Sequence, residues 1–167
     1  MSMRPINELK KIYDEDRYDR IKKLWERNKK LFLKRDHKRL KRVLTLVRRN
    51  KLSTAADHLH AAMILQHGGK TKYYRMAHKL AKKSADMGYK KQKGEVDPLW
   101  LAAAAKDRAL MSQGKPQRYG TQFKKDSKGG KWYLYSVDPA VTDKERARWH
   151  VRPLREAKKT VKKLNKN

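Results

Sequence analysis

The spacing of the apolar residues is the strongest constraint on how this 167-residue chain can fold. Between Ile6 and Leu33 they stand three, four, seven or eight positions apart, and between Asp36 and Arg49 they keep to one face of a second helical pattern. This spacing places apolar side chains along one side of an α-helix, whereas a strand would show strict alternation. We therefore predict two amphipathic helices, the first of them bent near Asp16.

Capping residues and glycines set the limits of the next two helices. A third helix is predicted between a cap at Ser53 or Thr54 and the Gly68-Gly69 pair, and a fourth from Lys72 to Met87. The third helix is the least charged stretch of the chain and is rich in alanine. We therefore expect it at the centre of the fold.

The fifth helix has the clearest ends, and it is predicted from Leu99 to Gln113. Asp97 suits the N-cap, Pro98 the first helical position and Gly114 the position after the last turn. These residues limit the helix on both sides without any reference to its apolar pattern.

The pattern changes after the fifth helix. Tyr119–Phe123 and Lys131–Val137 are predicted to be two strands of a small hairpin. Thr142 is predicted to cap a short helix, Asp143–Trp149, and a last basic helix follows from Leu154 to Leu164. The predicted fold class is mainly α, a single-domain helical bundle of six or seven helices with one small β-hairpin.

An excess of basic residues is present in every part of the chain, where 46 Lys and Arg face 17 Asp and Glu, a formal charge of +29. Residues 1–52, a basic N-terminal helical pair, hold 19 basic and 7 acidic side chains. Residues 53–142, a central helical core with the hairpin, hold 17 and 7, and residues 143–167, the basic C-terminal helices, hold 10 and 3. We expect the three segments to form one compact domain that is itself positive.

A body of this charge attracts polyanions, because neutralised phosphates release condensed counterions. The predicted partner is DNA, RNA or another polyanion, bound without sequence readout, since no helix-turn-helix, zinc-finger or RNA-recognition signature is present. The alternatives are a merely solvated charged face or adaptation to heat or salt. The predicted contact residues lie on the second and the last helix: Lys38, Arg39, Lys41, Arg42, Arg48, Arg49, Lys158, Lys159, Lys162 and Lys163.

Two absences narrow the partners further. Cysteine is missing, so no disulfide-linked partner and no thiolate metal site is possible. The first twenty residues are acidic where a signal peptide would be apolar, and no stretch approaches the roughly eighteen apolar residues of a membrane span. We expect a cytoplasmic or nucleoprotein-associated protein without a transmembrane segment, neither secreted nor membrane-bound, that can assemble with other proteins of a nucleoprotein particle.

Two histidines and a carboxylate share one face of the third helix. Asp57, His60 and His67 are spaced by three and seven positions, with Gln66 beside them. Such a stripe can supply general acid-base groups or ligands to a divalent metal. The structural alternative is that Asp57 favours the helix dipole and the histidines are partly buried. We predict no metal and no cofactor, because the chain has no HExxH motif and no second ligand cluster.

A second polar group begins near the end of the fifth helix. Asp107 and Arg108 precede the loop Gly114–Gln122 (GKPQRYGTQ), whose carboxamides, hydroxyl and guanidinium could bind a polar or anionic ligand. Alternatively the loop is a structural corner, in which Arg108 pairs with Asp107 or another buried carboxylate and Gln117 and Gln122 satisfy the loop backbone. The candidate ligand-binding residues of both groups are Asp57, Gln66, Asp107, Gln117, Gly120, Thr121 and Gln122.

Both polar groups lie in motifs that resemble an uncharacterised bacterial domain family. Asp57–Gly68 (DHLHAAMILQHG) is similar to its D-xx-HAA-x-I-xQH helix, and Asp107–Gln122 is similar to its DR-x-L-xxx-G-xPQ-x-YGTQ segment. The resemblance covers about residues 14–164 and implies that the two polar groups form a pocket, such as an active site. This chain is more basic than that family, which suggests an old scaffold, such as a former enzyme, recruited to a nucleic-acid-rich particle.

Two functional hypotheses follow from these patterns. In the first, the protein coats or bridges DNA or RNA through the phosphate backbone and has no catalytic role. In the second, it is an active or degenerate enzyme acting on an anionic substrate, with His60 or His67 as proton carrier and Arg108 as anion clamp. The enzyme hypothesis requires the histidine stripe to face the polar loop.

Overall fold

Eight helices and one two-stranded hairpin make up the part of the chain that the computed structural model describes, residues 4–127 and 129–166. The mainly helical class is therefore confirmed, together with the small hairpin. The elements are α1 (Asn7–Ile21), α2 (Leu24–Arg27), α3 (Lys29–Arg48), α4 (Ala55–Gln66), α5 (Thr71–Asp86), α6 (Pro98–Met111), β1 (Phe123–Lys125), β2 (Trp132–Leu134), α7 (Asp143–Arg148) and α8 (Leu154–Leu164).

The first predicted helix was expected to reach Leu33 with a bend near Asp16. In the structure α1 runs through Asp16 as one helix and ends at Ile21. Lys23 adopts a φ of 50°, a left-handed conformation that interrupts the helix, and α2 is a single helical turn. The side chain of Asn28 then caps α3 by accepting the N–H of Leu31 at 2.9 Å. The second long helix thus begins earlier than predicted, because its cap lies upstream of the apolar pattern.

The least charged helix, α4, lies at the centre of the fold, as predicted. It packs against α1, α3, α5 and α6. Its Leu59 and Leu65 side chains are fully buried, and each such burial contributes about 2 kcal/mol. Small side chains on the neighbouring helices let the backbones approach closely: Ala77, Ala81, Ala102 and Ala105.

Caps at the predicted positions limit α4 and α6. The Thr54 hydroxyl accepts the Asp57 N–H at 3.2 Å while the Asp57 carboxylate accepts the Thr54 N–H at 3.0 Å, which is a reciprocal capping box. The Asp97 carboxylate accepts the N–H of Trp100 at 3.0 Å, and Pro98 occupies the first position of α6. Local sequence therefore sets both helix starts.

A second, smaller apolar cluster joins α6 to the C-terminal part of the chain. Ala103 of α6 is buried against Tyr119, Val141 and Val151, with Trp149 packed alongside. The helices α1 and α3 of residues 1–52 contact α4 of the central segment. The second cluster joins α6 of the central segment to Val151 in residues 143–167, so neighbouring segments are in contact.

The hairpin is shorter than predicted and is covered by the last helix. β1 and β2 pair antiparallel, with Phe123 opposite Leu134. α8 lies on β2, where the Asn165 side chain accepts the Trp132 N–H at 2.7 Å and donates to the Trp132 carbonyl at 2.8 Å. No helix within residues 4–127 and 129–166 combines the length and apolar character that crossing a membrane requires.

Candidate functional site

The predicted polar loop is organised around one buried carboxylate, that of Asp107. Its oxygens accept the backbone N–H groups of Arg118, Tyr119 and Thr121 and the hydroxyl of Thr121 at 2.7 to 3.1 Å. Burial raises the pKa of this carboxyl, and the four donors oppose the rise. The loop wraps around Asp107, so the residues from Tyr119 to Gln122 do not form the predicted strand.

The carboxamide of Gln117 fills the inside of the same loop and is fully buried. It donates to the carbonyl oxygens of Gln122 and Tyr135 at 3.0 and 2.8 Å, and it accepts the N–H of Gln122 at 2.8 Å. The Gln122 side chain donates to the Thr121 hydroxyl at 2.9 Å. The carboxamides predicted to bind a ligand here are thus engaged with the loop itself, as the structural alternative expects, whereas the pairing of Arg108 with a buried carboxylate is not found among the described residues.

Gly120 and Arg146 fasten the loop to the C-terminal helices. Gly120 has a φ of +83°, and a Cβ atom there would lie 3.1 Å from Cδ1 of Leu154. The buried guanidinium of Arg146 donates to the carbonyl oxygens of Tyr119 and Val141 at 3.1 and 2.7 Å. The loop is therefore held from both sides.

His60 lies elsewhere, buried between α1 and the segment before α6. Its ring stacks on Tyr13 with centroids 4.4 Å apart, and Nε2 lies 3.7 Å from the Glu95 carboxylate. Neither ring nitrogen, nor the Tyr13 hydroxyl, has a hydrogen-bond partner among the described residues. Burial lowers the pKa of His60, although Glu95 opposes this, so the ring is neutral near pH 7. Burial also raises the pKa of Tyr13 to about 12.

His67 belongs to an ionic cluster between α1 and α3. The members of this ionic cluster are Asp16, Asp19, Arg20, Asp36, Arg39 and His67. His67 Nδ1 accepts the Nε–H of Arg20 at 3.0 Å and lies 3.2 Å from Asp16. Burial lowers the pKa of His67, with Asp16 opposing, which agrees with a neutral ring that accepts a hydrogen bond.

Arg39 is the buried centre of the ionic cluster. Its guanidinium contacts Asp19 and lies 3.0 Å from Asp36 and 3.6 Å from Asp16. Burial alone would raise the pKa of Asp16, but the charges of the Arg20 and Arg39 guanidinium groups oppose this effect, and the pKa lies below its usual value. The prediction that Arg39 contacts phosphate is therefore wrong, because its charge is buried and already neutralised.

Arg108 follows Asp107 in the sequence but has other neighbours. It is half-buried, and its Nε has no hydrogen-bond partner among the described residues. Burial lowers its pKa, which Tyr74 opposes and the charge of Arg20 reinforces. Its own charge helps lower the pKa of His67. Arg108 is thus close enough to Arg20 and His67, two members of the ionic cluster, for their charges to interact.

Asp57 and Gln66, the remaining residues of the histidine stripe, both bond within the fold. Asp57 is buried, and besides capping α4 it accepts the N–H of Ile6 at 2.8 Å. Burial would raise its pKa, but these backbone donors together hold the pKa below its usual value. The Gln66 amide donates to the sulfur of Met63 at 3.0 Å.

The predicted catalytic residues are therefore distributed over different places. His60 contacts Tyr13, His67 and Arg108 lie by the ionic cluster, and the polar loop surrounds Asp107. One cleft of about 400 Å³ is lined by His67, and another of about 450 Å³ is lined by the loop at Thr121. In the described ranges no group of three or more His, Asp or Glu side chains is arranged to hold a metal ion.

The other predicted phosphate contacts are exposed, although two of them have acidic partners. Glu8 binds the guanidinium of Arg42 with two contacts of 2.6 Å, and Glu156 lies 3.0 Å from Lys159. The exposed predicted contacts outside these pairs are Lys38, Lys41, Arg48, Arg49, Lys158, Lys162 and Lys163.

The structure adds two residues to the exposed face of α3. Lys30 and Lys34 continue the face of Lys38 and Lys41 at helical intervals of four and three, opposite the buried side chain of Arg39. We call the whole set the α3 stripe: Lys30, Lys34, Lys38, Lys41 and Arg48. The sequence prediction missed its first two members because it began the second helix at Asp36.

A larger share of the acidic than of the basic side chains is buried. Of the 17 acidic residues, Asp16, Asp19, Asp57 and Asp107 are buried, and the side chain of Glu95 is only 5% exposed. Among the described Lys and Arg residues only Arg39 and Arg146 are buried. The surface is therefore more positive than the composition of the chain alone indicates.

Comparison of the chain with protein-family models, with curated proteins and with solved structures found no significant match. The resemblance carried by the two polar motifs accordingly stays a prediction.

Proposed function

We propose that this protein binds DNA or RNA through the phosphate backbone, without sequence readout, and that the α3 stripe is its main contact surface. The observation that carries the proposal is the exposure of every described lysine, while several carboxylates are buried. Exposed cations without carboxylate partners can neutralise phosphates and release counterions. The basic face of α8, with Lys158, Lys162 and Lys163, provides a second surface, so one molecule can bridge two segments of nucleic acid.

The length of the α3 stripe matches such a contact. From Lys30 to Arg48 it extends roughly 27 Å at the usual rise of an α-helix. Duplex DNA carries one charge per about 1.7 Å of its axis, so several phosphates lie within reach of the stripe. Coating or bridging nucleic acid inside a nucleoprotein particle is the role that fits binding of this kind.

The test compares two triple variants that remove the same charge from different helices. The first is Lys34→Ala with Lys38→Ala and Lys41→Ala on the α3 stripe. The matched control is Lys72→Ala with Lys79→Ala and Lys83→Ala, three exposed lysines on α5. Binding to a random duplex and to a matched single strand is measured by fluorescence anisotropy over a salt series.

We expect log K to fall linearly with log salt, and the α3 variant to reduce the slope by about three units, close to 0.9 for each lost phosphate contact on duplex. The α5 control should change the slope by less than about one unit, because only long-range charge is lost. Equal losses in both variants would reject the α3 stripe as the main surface. A wild-type affinity that ignores salt would reject the proposed function.

A further inference from the structure

A cleft of about 400 Å³ lined by α5 and α6 differs in charge from other clefts of the molecule. Three of the others are each lined by at least two carboxylates. Among the described residues no Asp or Glu lines the cleft between α5 and α6, which we call the α5–α6 cleft. Four basic side chains line it instead, and they come from both helices and from the loop after α6: Arg75, Lys79, Lys106 and Lys115.

Helical spacing brings the first three of these cations to one place. Arg75, His78 and Lys79 stand at positions i, i+3 and i+4 and therefore share one face of α5. Lys106 lies on α6, which packs against α5, and Ala109 one turn later lines the same cleft. The cations thus approach one cleft from two packed helices.

The turn at the end of α6 adds the fourth cation. Gly114 has a φ of +70°, and the N–H of Lys115 donates to the carbonyl oxygen of Leu110 at 3.1 Å, so the chain turns back. The carboxamide oxygen of Gln113, in the same turn, accepts an N–H of the Arg75 guanidinium at 3.1 Å. This acceptor is uncharged, so it positions Arg75 and leaves its positive charge uncompensated.

The four cations of the α5–α6 cleft have no carboxylate partner within the described ranges. Lys82, elsewhere on α5, shows the contrast because it lies 2.7 Å from Asp86. Arg75 and Lys79 are like charges at positions i and i+4, an arrangement that destabilises a helix. An anion that enters the cleft relieves this repulsion.

His78 senses positive charge from both walls of the cleft. Its Nδ1 donates to the carbonyl oxygen of Ala102 at 2.9 Å. Burial lowers the pKa of His78, and the hydrogen bond to Ala102 opposes this effect. The charges of nearby cations lower the pKa further: Lys106, Lys82 and Lys79. Because Lys106 belongs to α6 and Lys79 to α5, charges of both helices act on the same ring.

We propose that the α5–α6 cleft binds a chain of linked phosphate groups, as in the triphosphate of a free nucleotide or of the 5′ end of an RNA strand. Arg binds phosphate oxygens through a planar fork of donors, and Lys binds them as a point charge. Linked phosphates place several negative charges side by side, which matches four cations around one cleft. The volume of the cleft lies in the range of small-molecule sites, roughly 300 to 1,000 Å³.

This site goes beyond the proposed function, because the α3 stripe and the α5–α6 cleft present their charges differently. The stripe spreads its cations along a helix, and the phosphates of a nucleic-acid backbone are likewise spread, with one charge each. The cleft gathers four cations around one small volume, where a single backbone phosphate leaves most of them without a partner. The two sites can therefore be tested independently.

The experiment titrates inorganic triphosphate into the protein by calorimetry at about 0.15 M salt, where exposed charges more than about 8 Å apart are largely screened. The cleft variant is Arg75→Ala with Lys106→Ala. The matched control is Lys72→Ala with Lys83→Ala, two exposed lysines of α5 outside the lining of the cleft. We expect the affinity to fall at least about tenfold in the cleft variant and less than about threefold in the control.

Three further measurements make the result specific to the cleft. The ring NMR signals of His78 should shift when triphosphate binds the wild type, and this shift should be lost in the cleft variant. Lys115→Ala, in the turn after α6, repeats the titration should the double variant not fold, with an expected loss of affinity of about fivefold. Sulfate, a compact dianion, is the control ligand and should bind at least about tenfold more weakly than triphosphate.

RNA single strands with a 5′-triphosphate or a 5′-hydroxyl end distinguish the two sources of the ligand. Tighter binding of the triphosphate strand that is lost in the cleft variant identifies a strand end. Binding of free triphosphate with no difference between the strands identifies a free polyphosphate. The nucleic acids in the test of the α3 stripe carry 5′-hydroxyl ends, so Lys79 in its α5 control has no terminal phosphate to bind.

Three outcomes overturn the inference: no saturable binding of triphosphate, equal binding of sulfate, or equal losses in the cleft variant and its control. In each of these cases salt-dependent binding of the 5′-hydroxyl strand leaves the proposed function intact. If triphosphate binds as expected and the 5′-hydroxyl strand does not bind at all, the cleft is supported and the proposed function is wrong.

Discussion

Asp107, Asp16 and Asp19 all have buried carboxylates, yet different groups stabilise them. Asp107 is surrounded by N–H and O–H donors of a single loop. Asp16 and Asp19 face guanidinium groups from α1 and α3, and one Asp16 oxygen and the Nε of Arg39 have no hydrogen-bond partner among the described residues. Donors of one loop thus specify the shape of that loop around Asp107, whereas guanidinium groups on different helices join α1 to α3 through Asp16 and Asp19.

The largest loss of stability is expected when a guanidinium group is removed from the ionic cluster. Arg39→Ala leaves Asp16 and Asp19 buried without their central cation, which costs about 3 to 5 kcal/mol of unfolding free energy in a urea titration. Arg35→Ala is the control, since its side chain is 48% exposed and its contact with Asp19 is worth less than about 1 kcal/mol. Comparable losses in the two variants would show that the buried ion pairs contribute no more to the unfolding free energy than the exposed one.

The carboxylate that is surrounded by uncharged donors is tested by Asp107→Ala, which removes the acceptor of four hydrogen bonds. We expect a loss of about 3 kcal/mol, since each buried donor left without a partner costs about 1 to 3 kcal/mol and some regain water. Hydrogen exchange should accelerate at the amides of Arg118, Tyr119 and Thr121, and the same amides should stay protected in Arg39→Ala. Asp126→Ala, in the exposed hairpin turn, serves as the control. If hydrogen exchange of these amides accelerates equally in Asp107→Ala and Arg39→Ala, the two kinds of buried carboxylate do not act on separate parts of the fold.

The smallest effect separates His60, on α4, from His67, which directly follows this helix. His60→Phe keeps the stacking on Tyr13 and removes two buried nitrogens without partners, so stability at pH 8 should stay equal or rise by up to about 1 kcal/mol. His67→Phe should destabilise the protein at every pH, because Arg20 loses its acceptor. Thermal unfolding of both variants and of the wild type checks whether His67→Phe is the less stable of the two variants.

The pH dependence of His60 follows from its lowered pKa. As pH falls through about 6.5 the unfolded ring takes up a proton before the folded ring does, so stability that is present above this pH is lost below it. Glu95, which faces His60, limits the loss, and Lys10 adds to it. Wild-type stability should therefore decline from pH 7 to pH 5, and the decline should be shallower in His60→Phe. An unchanged decline would mean that His60 does not contribute.

Sequence alone predicted the elements whose causes are local. The caps of α4 and α6 could be predicted because Thr54, Asp57, Asp97 and Pro98 act within one turn of the helix they begin. The loop could not, because the donors of residues 118–121 turn toward Asp107, which lies on another element. Residues 119–122 were therefore predicted to lie in a strand, although they belong to the loop.

The ionic cluster was missed although a signal for it exists in the sequence. Asp16 and Asp19 continue the interval of three and four set by Leu9, Ile12 and Tyr13, so they occupy positions on the buried face of α1. A carboxylate on such a face requires a cation or hydrogen-bond donors beside it, and no donors from a nearby loop are evident for Asp16 and Asp19. The cation was Arg39, which was assigned to the surface because the sequence does not show how α3 faces α1.

The burial of the minority charge bears on how such a sequence can drift over time. A lysine of the α3 stripe can become arginine or move by one turn and leave the surface field nearly unchanged. Asp16, Asp19, Asp57 and Asp107 have no such freedom, because each meets donors or guanidinium groups at fixed places. The ancestry of this chain should therefore be recorded in its few acids, and a distant relative is better sought through them than through the abundant lysines.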